Sequence, residues 1–301
     1  MKARRAGGSA LLIEPALLRD WPLPKLAPGA DKQARGDVLV VGGSREIFGA
    51  VLLSATAALR AGAGRVQLAS ARSVAATLGA TFPEARVIGL PEDRSGELTP
   101  GGARVLRAEL RACKAVLVGP GMRSHAAAKP LLSAFCRARD EQTLVVDAAA
   151  LRVLGQRSQL FDGCAGGVVL TPHAGEMAEL WGCEREQVQA RPLELAREAA
   201  RALGVVLVLK GAETLIVTPE QQAFRNLAGN SGLATAGSGD VLSGLIAGLA
   251  ARGAEPAQAA VWGVYLHAKA GEALAKKLGP LGYLARELAA EVPRLLECPN
   301  R

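Results

Sequence analysis

The chain is expected to adopt an α/β fold, a doubly wound and mostly parallel sheet flanked by helices, on three observations. Short β-branched runs alternate with longer Ala- and Leu-rich segments, the rhythm of a parallel sheet covered on both faces. Half of the 301 residues are apolar while aromatics make up only 3%, so the core must be built from Ala, Leu, Val and Ile. Several apolar runs lead straight into glycine-bearing loops, and in open sheets of this kind ligands bind beyond the carboxyl ends of the strands.

Taken in order, residues 1–35 are Pro- and Gly-rich and weakly patterned, a surface lead-in with a short helix near 16–20. The rest, 36–301, reads as a single catalytic domain with no internal repeat or linker. Strands are expected at 37–41, 65–68, 85–89, 115–118, 144–146, 168–170, 205–209 and 215–217, where β-branched residues cluster. Helices are expected at 49–61, 74–80, 126–138, 175–180, 194–203, 240–251, 256–277 and 284–295, where Ala and Leu dominate.

A formal charge of +8 and a pI near 9.6 suit anionic ligands. Nucleic acid is not expected as a partner, because basic residues are not interleaved with aromatics and no zinc-finger spacing occurs. The five cysteines, Cys113, Cys136, Cys164, Cys183 and Cys298, lie far apart and argue against a disulfide framework or structural zinc. A cytoplasmic protein is the simplest reading. The first apolar run is broken by Glu14 and Pro15, which makes a poor signal peptide, and no stretch is long enough for a membrane span.

The richest segment is NLAGNSGLATAGSGDVLSGLIAGLAARG, residues 226–253. Gly229, Gly232, Gly237 and Gly239 crowd a loop that ends in Asp240 and opens into an apolar helix. Free N–H groups in a first helical turn attract anions, and glycines let a phosphate come close. An aspartate there can take a proton from a hydroxyl while the amides hold a transferring phosphoryl group. Plain helix capping would not need so many small and polar residues. A helix N-terminus favours the ionised carboxylate, so Asp240 is expected to be a weak base at rest.

Other loops fall on the same edge. GGSREIFGA, 42–50, reads equally as a βα turn or a ligand loop, since it lacks the ending of a Walker A sequence. Gly119-Pro120-Gly121 follows the strand at 115–118. Asp147 could position a cation or cap a turn. His173, in TPHAGE, could bond a substrate amide or phosphate, or Thr171 could cap that helix and leave the histidine a loop residue. His125 and His267 read as structural, and three separated histidines form no metal triad. Lys210 ends the run VVLVLK; with 27 Arg against 9 Lys it is not merely the default cation, and it suits a nucleotide phosphate or ribose, with Thr214 nearby.

Together these strings resemble the ADP- or ATP-dependent NAD(P)H-hydrate dehydratases of the ribokinase-like superfamily. The matching strings are VLVVGGSREIFGAVLLSATAALRAGAGRV, VGPGM, VVDAAAL, LTPHAGEMAEL, VLKGAETLIV, GNSGLATAGSGDVLSGLIAGLAARG and GVYLHAKAGEALA, spread from Gly36 to Pro293. The resemblance implies a three-layer ribokinase-like architecture without the separate epimerase domain of some members. It implies repair of hydrated NADH or NADPH, with the C6 hydroxyl phosphorylated, phosphate expelled and a proton lost. ADP, or ATP, is the implied co-substrate, giving AMP and phosphate from ADP, and Mg²⁺ is expected on the nucleotide phosphates rather than in a protein cage. By the resemblance, Asp240 matches the catalytic aspartate. Ala50, Gly121, His173 and Asp240 match contacts to the hydrated dinucleotide. Lys210, Gly211, Ala212, Glu213, Thr214 and Gly239 match nucleotide contacts, and Gly237, Ser238 and Gly239 an anion hole. A homo-oligomer, as a homotetramer, is the assembly the family suggests.

The string departs from the pattern in places. Ala149 stands where many relatives carry a second aspartate. Met122-Arg123 follows Gly121 where Leu-Gly is common, so Arg123 either adds a phosphate contact or crowds the site. Ala236 replaces a frequent glycine and Ser231 a frequent proline. None of these is Asp240 or Lys210, and activity is expected to survive. The alternatives are a small-molecule kinase of the same superfamily, of the hydroxymethylpyrimidine or hydroxyethylthiazole type, and an inactive dinucleotide-binding regulator.

Overall fold

A computed structural model describes residues 9–25, 29, 31–138, 142–156, 158–162 and 167–297. Cys164 and Cys298 lie outside the described residues. Among the described residues, ten strands join one sheet. They are β1 (Leu11–Leu12), β2 (Asp37–Val41), β3 (Arg65–Ala71), β4 (Ala85–Leu90), β5 (Ala115–Val118), β6 (Thr143–Val146), β7 (Val168–Leu170), β8 (Val206–Leu209), β9 (Thr214–Val217) and β10 (Ala223–Asn226). Their spatial order is β1-β10-β9-β8-β7-β6-β5-β2-β3-β4. The strands from β8 through β4 are parallel neighbours, and β9 runs antiparallel to both β8 and β10. The doubly wound, mostly parallel sheet read from the sequence is the observed fold.

Central strands β2, β5, β6, β7 and β8 are buried along their whole length. That is why they read as unbroken β-branched runs rather than alternating ones. From β2 the chain proceeds to β3 and β4 on one side, then returns to β5 on the other side of β2. The order therefore reverses between β2 and β5, which opens a crevice beyond their carboxyl ends.

The helices Gly49–Arg60, Ser238–Ala251 and Pro256–Leu278 pack side by side, and Ala285–Leu295 lies against all three. Their small residues permit a close approach. A Cβ on Gly244 would stand 2.3 Å from the Ser54 carbonyl oxygen, and one on Gly248 would stand 2.5 Å from that of Ala58. The glycines after Asp240 thus serve helix packing, while those before it shape the loop.

Several elements differ from the sequence reading. Strands β1 and β10 were not expected; both are short, β1 at the sheet edge and β10 beside it, and only Phe224 and the two leucines mark them. The helices Gly102–Val105, Glu109–Ala112 and Arg185–Ala190 were also missed, being too short to show a period. The lead-in carries the short helix Pro15–Asp20, yet it is more than surface. Leu18 is fully buried, Trp21 stacks on Phe224 at 5.8 Å, and the Trp21 carbonyl accepts from Trp262 Nε1 at 2.9 Å. Cys113 and Cys183 are free thiols, whereas Cys136 is disulfide-bonded, a bond that wide spacing had not suggested. Among the described residues no helix is long and apolar enough to cross a membrane.

Candidate active site

The helix Ser238–Ala251 begins directly after Gly237, whose φ of +87° belongs to the left-handed region. Glycine adopts it without strain, and a Cβ there would also stand 2.5 Å from Leu53 Cδ1. The turn aims the amides of the first helical residues at the sheet edge. Two contacts hold the turn in place. Ser54 Oγ donates to the Asp240 carbonyl at 2.9 Å, and His267 Nε2 lies 3.0 Å from both Ser238 Oγ and the Ser238 carbonyl. Burial, above all, pushes the His267 imidazole down to about 4, with the Lys210 charge adding to it against the Ser238 carbonyl. His267 is therefore a neutral brace for this turn. Further back, Asn230 Oδ1 accepts from the Gly232 amide at 2.9 Å and from the Tyr283 hydroxyl at 2.7 Å.

Lys210 is the centre of the charged half. The Lys210 N–H donates to the Pro172 carbonyl at 2.8 Å, which ties the end of β8 to the TPHAGE loop. Its ammonium donates to Asp147 Oδ1 at 2.9 Å and lies 3.7 Å from Glu176 Oε2. A Cβ on Gly239 would be 3.5 Å from the same nitrogen, so the ammonium rests against the glycine turn. Burial opposes the lysine charge, but Asp147 and then Glu176 outweigh it and hold the ammonium above its ordinary range. The surface-lysine reading is excluded, since the side chain is only 19% exposed. Asp147 does not cap the 3-10 turn that follows it; its carboxylate serves Lys210.

Asp240 sits in the first turn of its helix, beside this pair. Burial first, and then the Asp147 charge, push its carboxyl up to about 7, with Lys210 pulling the other way and Glu176 adding to the rise. The expectation of an ionised, weakly basic carboxylate is corrected here. Two neighbouring carboxylates and loss of water outweigh the helix N-terminus. Asp240 is poised to gain or lose a proton near neutral pH.

His173 caps the helix Ala174–Trp181. Its Nδ1 accepts from the Gly175 and Glu176 amides at 3.0 and 3.1 Å, and Glu176 Oε2 accepts from the His173 N–H at 2.8 Å. Thr171 is not the cap; its hydroxyl donates to the Val146 carbonyl at 3.3 Å. With Nδ1 accepting, the neutral ring carries its proton on Nε2 and presents it from a side chain that is 60% exposed. Glu176 thus serves two neighbours at once, the His173 cap and the Lys210 ammonium.

The other half of the site lies at the switch between β2 and β5 and is built from backbone. The Gly43 N–H donates to the Pro120 carbonyl at 2.7 Å. Gly121 has a φ of +69°, and a Cβ there would stand 2.2 Å from the Ile47 carbonyl and 3.0 Å from Ala50 Cβ. Ala50 and Gly121 are therefore neighbours, and Ser54, one helical turn beyond Ala50, reaches Asp240. Arg123, two residues past Gly121, pairs with Glu46 and lies 3.8 Å from Glu97.

Gly211, Ala212 and Glu213 form the exposed turn between β8 and β9, immediately after Lys210. Thr214 Oγ1 donates to the Gly211 carbonyl at 3.4 Å, and Glu213 faces Arg225 at 4.0 Å. The expected residues thus gather along one edge. Sequence reasoning passed over Glu176, His267 and Ser54 as site residues. Glu176 was visible in TPHAGE three residues after His173, a capping-box spacing, but Ser54 and His267 carry no local signal.

A family model described as NAD(P)H-hydrate dehydratase matches residues 38–294. Over 289 residues the chain is 46% identical to a protein of Xanthomonas campestris pv. campestris named ADP-dependent (S)-NAD(P)H-hydrate dehydratase, covering 95% of this chain and 96% of that one. It is 41% identical over 274 residues to the bifunctional NAD(P)H-hydrate repair enzyme Nnr of Moorella thermoacetica, covering 91% of this chain but only 52% of that protein. Among solved structures it is similar to the ADP/ATP-dependent NAD(P)H-hydrate dehydratase of Bacillus subtilis co-crystallized with ATP/Mg²⁺. The TM-score is 0.83 and the identity 27%, with 96% of this chain and 99% of that one covered.

Proposed function

The chain belongs to the NAD(P)H-hydrate dehydratase family, and from that premise we propose that it dehydrates the S form of NAD(P)H hydrate back to NAD(P)H, converting ADP to AMP and phosphate. The observation that carries the reading is the carboxyl of Asp240, poised at about 7 next to Lys210 and the amides of a helix N-terminus. Hydroxide is a poor leaving group, and phosphate is a good one. Asp240 takes the proton of the C6 hydroxyl as its oxygen receives the phosphoryl group. The Gly239 amide region and the Lys210 ammonium stabilise the charge on that group, and the turn at Gly237 and Ser238 completes the anion hole. The ring nitrogen then drives out phosphate, and loss of a ring proton restores the reduced nicotinamide.

The dinucleotide lies against Ala50 and Gly121, where the backbone leaves no room for a side chain, with His173 Nε2–H as a polar contact. The nucleotide lies along Lys210, Gly211, Ala212, Glu213, Thr214 and Gly239. Three carboxylates, Asp147, Glu176 and Asp240, surround one ammonium, and the surplus negative charge suits a cation carried by the phosphates. Mg²⁺ would supply charge neutralisation there, with most of its ligands from the nucleotide and the Asp147 and Glu176 carboxylates, which face the same ammonium, as protein donors. A cytoplasmic homo-oligomer, as a homotetramer, and a single catalytic domain over 36–301 complete the reading.

The test is repair of chemically prepared hydrate, with ADP and ATP run in parallel. Absorbance of the reduced nicotinamide is expected to return, faster with ADP. No recovery with either donor, together with stable phosphorylation of another alcohol, would assign the site to a small-molecule kinase instead.

A further inference from the structure

Three loops meet at the outer rim of the β2–β5 crevice, and one arginine joins them. Glu97, from the loop after β4, reaches the loop after β5, where its Oε2 accepts from the Arg123 and Ser124 amides at 3.2 and 2.9 Å. This fixes the backbone two residues beyond Gly121. The Arg123 guanidinium then spans two carboxylates, pairing with Glu46 from the loop after β2 and lying 3.8 Å from Glu97 Oε1. Glu46 is one residue from Ile47, whose carbonyl faces Gly121. The pair therefore sits immediately outside the contact that shapes the proposed dinucleotide floor.

The two carboxylates are not equivalent. The Glu97 side chain is 9% exposed and anchored by two amides, while the Glu46 side chain is 65% exposed. Glu97 Oε1 is buried and has no hydrogen-bond partner, so the guanidinium has not closed on it. The Arg123 backbone is thus held by Glu97, while its guanidinium donates to the exposed Glu46 and stays 3.8 Å from Glu97. A planar guanidinium whose hydrogen-bonded partner is a 65% exposed carboxylate is suited to bidentate exchange with phosphate, because exposed ion pairs are weak.

Resting on the dehydratase reading, we propose that Arg123 reads a phosphate of the bound dinucleotide, which displaces Glu46 from the guanidinium. Glu46 is then a competitor for the same cation and turns into solvent when substrate binds. Glu97 is the positioning residue that keeps Arg123 at the rim. The phosphate is either the 2′-phosphate of the NADPH form or the pyrophosphate common to both forms.

The stable products NADPH and NADH serve as probes, titrated by nicotinamide fluorescence against the wild-type chain, Arg123→Met and Glu46→Gln, with ADP binding as a control in each. Arg123→Met is expected to weaken dinucleotide binding about 10-fold or more, with ADP binding kept. Glu46→Gln is expected to tighten it by up to about 5-fold. Loss confined to NADPH identifies the 2′-phosphate, and equal loss for NADH identifies the pyrophosphate. Unchanged binding in Arg123→Met, or weaker binding in Glu46→Gln, overturns the proposal. If Arg123→Met also loses ADP binding, the sign of the Glu46→Gln effect decides. A wild-type chain that binds neither dinucleotide nor restores hydrate overturns the dehydratase reading as well, whereas repair with an indifferent Arg123 overturns this inference alone.

Discussion

The two halves of the crevice are built on opposite physical plans. On the β6–β8 side, Asp147, Glu176, Lys210 and Asp240 place three carboxylates around one ammonium, largely out of water. On the β2–β5 side, Gly43, Ala50 and Gly121 bring backbone to backbone with no charge between them. The first half shapes protonation and charge; the second shapes space. Damage to the charged half should therefore appear in turnover and its pH dependence, and damage to the glycine half in substrate KM.

The sharpest test of that division is Asp240→Asn. It should lower kcat by about 10²–10⁴-fold, the range for removing a general base, while ADP binding measured by calorimetry stays near wild type. Equal loss of ADP binding would show that the carboxyl shapes the cradle as well. Gly121→Ala tests the other half. A Cβ there meets the Ile47 carbonyl at 2.2 Å and forces a residue other than glycine into the left-handed region, a strain of about 1–2 kcal/mol. We expect KM for the hydrate to rise about 10-fold, the equivalent of about 1.4 kcal/mol, with KM for ADP unchanged in steady-state assays. A change in ADP alone would reverse the assignment of the two halves.

The pH profile probes the charged half more finely. Because Asp240 must be ionised to accept a proton, kcat/KM should rise with pH to a limb near 7. The carboxylate of Asp147 raises the Asp240 pKa, so Asp147→Asn should move the limb to lower pH; a limb that stays in place would remove Asp147 from the charge balance. The same shift has a stability consequence. Asp240 binds its proton more tightly in the folded chain than at its ordinary 3.8. Its contribution to stability is therefore present below that value and lost as pH rises through about 7. Urea titrations at several pH values should show this fall, and Asp240→Asn should remove it.

The smallest effect is expected at His173, which belongs to both halves as a cap and a contact. His173→Ala loses the cap and should cost about 1 kcal/mol of stability. His173→Asn restores an N-cap and should recover most of it in thermal unfolding, while the KM defect for the hydrate remains. Recovery of both would make the ring purely structural.

Much of this was readable in the chain. The central strands were expected nearly residue for residue, because strands buried on both faces leave unbroken β-branched runs. The glycine turns were readable too, since Gly121 and Gly237 each mark a place where a Cβ has no room. The short strand β10 was not, because four residues with one buried aromatic carry no period. The brace on Ser238 was not readable either, because His267 lies 29 residues away on another helix.

The amino-acid sequence by itself determined the layered sheet and the placing of Lys210, His173 and Asp240 at the ends of elements. These are local properties of periodicity and glycine punctuation. Only the tertiary structure decided that Asp147, 63 residues away, holds Lys210, and that Asp240 titrates near neutrality instead of as an ordinary carboxylate. Electrostatic environment depends on through-space distance and on exclusion of water, and neither is written in the spacing of residues along a chain.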